Sequence, residues 1–122
     1  MATGSVKGAP GIARDIKNDV TSGSNVTINY LYFTKIGNMA VLEYDITLSS
    51  DKQAGFQLIK SMPIGNPIVN NISTLLMRTD GNMSAVGVYI DNFGGSDGVC
   101  TVTRENIAAA NWRGSLVLFV ET

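Results

Sequence analysis

The stretch 34-TKIGNMAVLEYDITLS-49 decides how the chain folds. Gly37-Asn38 is a two-residue turn signal between two runs of alternating apolar and polar residues, the pattern of a β-hairpin with half-buried strands. In the second run Ala40, Leu42, Tyr44, Ile46 and Leu48 point one way and Glu43, Asp45 and Thr47 the other, because successive strand side chains face opposite sides. Glu43 and Asp45 therefore fall on the solvent or interface side of a structural strand.

The same period of two extends outward in both directions. In 25-NVTINYLYFTKI-36, Val26, Ile28, Tyr30 and Tyr32 share one face, while Leu31 and Phe33 put bulk on the other, which predicts a strand covered on both sides at its far end. Downstream, 56-FQLIKS-61 reads as a short strand, and Pro63, Gly65 and Pro67 forbid a regular ladder through residues 62–69. The run 72-ISTLLMR-78 meets Asp80-Gly81 and returns through 82-NMSAVGVYI-90 as a second hairpin. A glycine-rich loop over residues 91–98 leads to a strand at 99–104, a turn of helix over 105–112 and a closing strand at 113–122. Seven or eight short strands with close turn signals predict an all-β fold, an antiparallel β-sandwich of jelly-roll type, over residues 23–122. Residues 1–22 read as a linker or short helix, with Ile12, Ile16 and Val20 spaced as a narrow apolar stripe on two helical turns.

Composition narrows the functions open to this fold. The 122 residues make one domain, and the 16% charged share lies below the roughly 25% of an average soluble domain, so part of the surface is expected to be covered by a partner. Strands apolar on both faces, at Leu31 to Phe33, Leu75 to Met77 and the last strand, point to a homo-oligomer, unless loops cover them. A net charge of −1 without basic runs argues against nucleic acid as a partner. No apolar run approaches the roughly 18 residues of a membrane helix, and the first residues lack the apolar core of a signal peptide. Histidine is absent, which removes Ser-His-Asp and Cys-His nucleophile systems, and the single Cys100 reads as a small buried hydrophobe.

The stretches 26-VTINYLYFTKIGNMAVLEYDITLS-49 and 58-LIKSMPIGNPI-68, followed by the Asp80-Gly81 hairpin and a closing strand after Trp112, carry a resemblance. Over residues 24–122 the chain resembles the C-terminal head domains of siphophage receptor-binding proteins, the tail-fibre and baseplate tip modules of phages that infect Gram-positive bacteria. That resemblance implies a homotrimer on the virion tail, made in the host cytoplasm. Its partners would be other tail and baseplate proteins and the host cell-wall saccharide, bound in loops or subunit clefts. Residues 12–20 would be the end of the connection to the tail.

A neutral saccharide site needs a flat aromatic and polar groups that satisfy several hydroxyls together. The stretch 89-YIDNFGGSDG-98 supplies Tyr89, Asp91, Asn92, Phe93 and Asp97, and 111-NWR-113 supplies Asn111, Trp112 and Arg113. Each has a structural alternative: Phe93 as a plug at the end of the sandwich, Asp91 and Asn92 as turn residues, Trp112 as core. Asp91 and Asp97 could also serve a small glycan-degrading tip. No calcium-loop or dinucleotide spacing is present, so no cofactor or metal is expected. The expected activity is non-enzymatic attachment, with a structural virion component as the alternative. A trimeric ligand like tumour necrosis factor or C1q shares the strand pattern.

Overall fold

A computed structural model describes residues 12–69, 71–81, 83–91 and 99–121. Among them the chain forms nine strands and almost no helix: Arg14–Asp15 (β1), Thr21–Ser22 (β2), Val26–Ile36 (β3), Met39–Leu48 (β4), Gln57–Met62 (β5), Ser73–Arg78 (β6), Ala85–Asp91 (β7), Val99–Thr103 (β8) and Asn111–Phe119 (β9). They make a single curled sheet in the order β1-β3-β4-β9-β6-β7-β8-β5-β2, and every neighbouring pair is antiparallel.

The curl follows from where β1 and β2 lie. β1 pairs with the outer edge of β3 and β2 with the outer edge of β5, at opposite ends of the sheet. Only residues 16–20 separate them, a length that spans roughly 20 Å when fully extended. The two edges must therefore approach each other, with the N-terminal segment as a strap between them. Of the linker or short helix expected over residues 1–22, the described part, residues 12–22, forms no α-helix. In its place stand β1, a 3₁₀ turn at Lys17–Asp19 and β2. Backbone groups that a helix would pair internally are satisfied instead by sheet edges, which need covering. Ile12 is exposed, whereas Ile16, 3% exposed, enters the core and donates its N–H to Leu31 O at 2.8 Å.

The opening hairpin forms as read. Ile36 pairs with Met39 across Gly37-Asn38, and Gly37 alone takes a positive φ, 59°, as the first central residue of a type II′ turn does. Ala40, Leu42, Tyr44, Ile46 and Leu48 are all buried. The β3 partner departs from strict alternation. Ile28 pairs with Ile46 but Tyr30 pairs with Asp45, so Asn29 is an extra residue, a β-bulge. Before it Val26 faces the core; after it Leu31 and Phe33 do, and Tyr30 and Tyr32 turn outward. The single face expected for Val26 to Tyr32 is thus broken at Asn29. The expected turn of helix at 105–112 is also absent, because Ile107 exchanges two backbone bonds of 2.9 Å with Lys52 and ties two loops together.

Inside the curl, Gly114 of β9 sits between Tyr44 on one neighbour and Leu76 on the other. A Cβ at Gly114 would lie 2.6 Å from Leu76 Cδ2 and 2.9 Å from Tyr44 Cζ, so the glycine leaves the room that the tyrosine ring fills. Tyr44 is fully buried, its hydroxyl has no hydrogen-bond partner among the described residues, and burial raises its pKa well above the usual phenol value.

Urea denaturation measures these contributions. Tyr44→Phe should leave stability unchanged or raise it by about 1 kcal/mol, since it removes an unsatisfied buried hydroxyl, while Gly114→Ala should lower it by roughly 1–3 kcal/mol through overpacking. Ile16→Ala should cost about 2–4 kcal/mol and increase hydrogen exchange at β3 and β5, the edges that the strap covers.

Candidate functional site

The outward surface of β3, β4, β9 and β6 carries a polar cluster built around a carboxylate. Asp45 lies on the outer side of β4, as its parity requires, yet it is only 5% exposed. Three side chains cover it. Asn29 Nδ2 donates to Oδ1 at 2.7 Å, and Oδ2 accepts from Asn111 Nδ2 at 3.3 Å and Arg113 Nε at 3.1 Å. Arg113 Nη2 adds an ion pair to the same oxygen at 3.0 Å. The charge is compensated and its lone pairs are used, which is the condition for burying a carboxylate.

Each donor is placed by the sheet. Arg113 is the direct cross-strand partner of Asp45, and Asn111 that of Thr47. Asn29 reaches both because the bulge re-aims its side chain, a common use of bulges beside sites. Thr47 Oγ1 donates to Asn111 Oδ1 at 2.6 Å, and Asn111 Nδ2 donates to Thr79 Oγ1 at 2.6 Å. Asp80 accepts from Arg78 Nε at 2.6 Å and from the Asn111 N–H at 3.1 Å. These bonds, the Arg78 one foremost, hold its carboxyl below the usual range.

Next to this cluster runs a shallow groove of about 280 Å³. Arg113, Gly114 and Ser115 of β9 form its floor, Tyr30 and Glu43 one side, and Leu75, Met77 and Thr79 the other. The Arg113 side chain is 58% exposed, and among the described residues Asp45 is its only polar partner, so of five guanidinium N–H donors those not turned to Asp45 stay open to a ligand. Tyr30 stacks at a tilt on Tyr32, 5.2 Å between ring centroids, and this pair makes an aromatic lip. Glu43 is exposed and without a protein partner among the described residues. A guanidinium locked by a buried acid, a free carboxylate and an aromatic ring can together hold a polyhydroxylated molecule.

The residues expected from sequence separate into three groups. Asn111 and Arg113 lie on the outer surface, in the cluster and the groove. Trp112 between them points inward, 1% exposed, and donates Nε1–H to Ala108 O at 3.0 Å, so in this structure it has the core role rather than a face for a ligand. Tyr89 and Asp91 stand on β7 away from the groove. Tyr89 lies under the Arg104 guanidinium at 4.5 Å, and the Asp91 carbonyl accepts from Cys100 Sγ at 3.3 Å. Burial, then the Asp91 charge, push the Cys100 thiol up to about 11. Asn92, Phe93 and Asp97 lie outside the described residues. Sequence reasoning missed Tyr30, Glu43 and Asn29. The available signal was the outward polar parity of Glu43 and Asp45, with an Arg available five strands later in the chain's closing segment.

Comparison with protein-family models found no match, and a search of curated proteins found no relative.

Asp45→Ala should lower stability by about 1–3 kcal/mol, because Asn29, Asn111 and Arg113 all lose the charged acceptor they share. Glu43→Ala, two residues away on the same face, should change it by less than about 0.5 kcal/mol. Urea denaturation of the two variants side by side measures the contrast.

Proposed function

We propose that this protein is a non-enzymatic receptor-binding head of a phage tail, which attaches the virion to host cell-surface saccharide through the groove beside Asp45 and Arg113. The observation that carries the reading is the buried Asp45 carboxylate holding an exposed guanidinium beside the Tyr30 ring. Such a fixed donor recognises hydroxyls without first losing side-chain freedom, which is what a weak saccharide site needs. Three weak sites on a homotrimer then gain strength by avidity.

The homotrimer is supported by the other end of the same surface. There Val41 pairs with Val117 and Met39 with Phe119, and Ile36, Val117 and Phe119 are each about half exposed. An apolar patch of this kind suits burial between copies. The curled sheet would then act as the two layers of a jelly-roll sandwich, with the groove beside a subunit boundary. The same patch favours a second reading, a structural tail or baseplate component whose apolar surface meets other virion proteins.

The purified protein should sediment with Gram-positive cell walls and show a solution mass three times that of the 13.0 kDa chain. Arg113→Ala and Tyr30→Ala should each reduce wall binding about tenfold or more, as expected for a lost hydrogen bond to a charged group in the first and a lost stacking surface in the second, with the trimer intact. A monomer that adheres to no wall overturns the reading. A trimer whose wall binding ignores both substitutions favours the structural component.

A further inference from the structure

We infer that the groove selects uncharged sugar rings and rejects those bearing a carboxylate or phosphate, with Glu43 as the residue that sets this preference; the inference rests on the groove reading given above. The groove is lined by one guanidinium, Arg113, and one carboxylate, Glu43, and the buried Asp45 carboxylate lies in the adjoining cluster. Asp45 already neutralises Arg113 through two contacts to its Oδ2, at 3.1 and 3.0 Å. Glu43 has no compensating cation among the described residues. An anion arriving at Arg113 therefore meets a guanidinium whose charge is spent and a carboxylate whose charge is not.

The register fixes how close these groups are. Glu43 pairs with Ser115 and Asp45 with Arg113, so Glu43 and Arg113 are diagonal neighbours across two antiparallel strands. Diagonal positions on one face stand about 7–8 Å apart at the backbone, within reach of two long side chains converging on one ligand. Glu43 also pairs directly with Tyr32, the ring stacked on Tyr30. A ring lying on the tyrosine lip thus meets an acceptor and a donor side by side. A hydroxyl pair matches that arrangement, because one hydroxyl can donate to Glu43 while its neighbour accepts from Arg113. A carboxylate or phosphate dianion only accepts, and it places like charge against Glu43 in a pocket with apolar walls at Leu75 and Met77.

The test compares rings that differ in one group. Methyl glucoside, methyl galactoside and N-acetylglucosamine are titrated against methyl glucuronide, methyl galacturonide and glucose 6-phosphate, with the amide resonances of Gly114 and Ser115 as readout. At least one neutral sugar should shift these amides, with its acidic counterpart about tenfold weaker or more. Glu43→Gln, an exposed and isosteric change, should narrow that gap severalfold, because the amide keeps an acceptor oxygen for a hydroxyl and removes the charge that opposes an anion. Acidic sugars that bind as tightly as neutral ones, or a gap unchanged in Glu43→Gln, overturn the inference and leave the groove reading standing. No response of Gly114 and Ser115 to any of the sugars overturns both.

Discussion

One extra residue in β3 constrains most of what this surface does. Without the bulge at Asn29, the strand would keep a single parity from Val26 to Ile36, and Tyr30 and Tyr32 would lie with Val26 against the core. Leu31 and Phe33 would then be stranded outside. The added residue moves every later side chain to the other face, as a one-residue slip must. It also leaves the Asn29 amide free of the ladder's alternation, so that Nδ2 can reach Asp45 Oδ1 and Thr47 Oγ1. Core filling at one end of the strand and the aromatic lip at the other are consequences of the same insertion.

The two faces of β4 and β9 are coupled through the sheet they share. Asp45 and Arg113 pair on the outside, and one residue along each strand Tyr44 and Gly114 pair on the inside. Glycine at that point lets a large ring occupy the interior opposite it, and the same glycine forms part of the groove floor. Outer chemistry therefore rests on a backbone positioned by interior packing. The unsatisfied Tyr44 hydroxyl is the cost of using that ring to fill the layer, where none of the described residues forms a hydrogen bond with it.

Much of the fold could be read from the chain because its signals are local. Gly37-Asn38 carries its turn chemistry with it, and the buried apolar positions of β4 and β9 follow from parity alone, whereas the strand expected to return from residue 82 after Asp80-Gly81 opens only at Ala85, paired with Met77. What escaped depends on partners distant in sequence. Nothing within residues 25–33 states that Asn29 is the residue to be skipped, since asparagine also fits a regular edge position. The spacing of Ile12, Ile16 and Val20 is compatible with a helix until the uncovered edges of β3 and β5 offer their backbone groups. Asp45 was placed on the correct face but not in the correct environment, because its burial requires Asn29, Asn111 and Arg113 at once. Of the candidate site, 111-NWR-113 was legible as a mixture of groups, while its division into outward Asn111 and Arg113 and inward Trp112 waited on the strand's register.

The strap from β1 to β2 gives the chain a load path. Tension entering from the N-terminal side reaches β3 first through Arg14 and Asp15, passes Ile16 in the core, and arrives at β5 through Thr21 and Ser22. The pull is thereby divided between the two margins of the curled sheet before it meets the long β3–β4 hairpin. A fold fastened in this manner resists being peeled strand by strand, since loosening one margin leaves the other held.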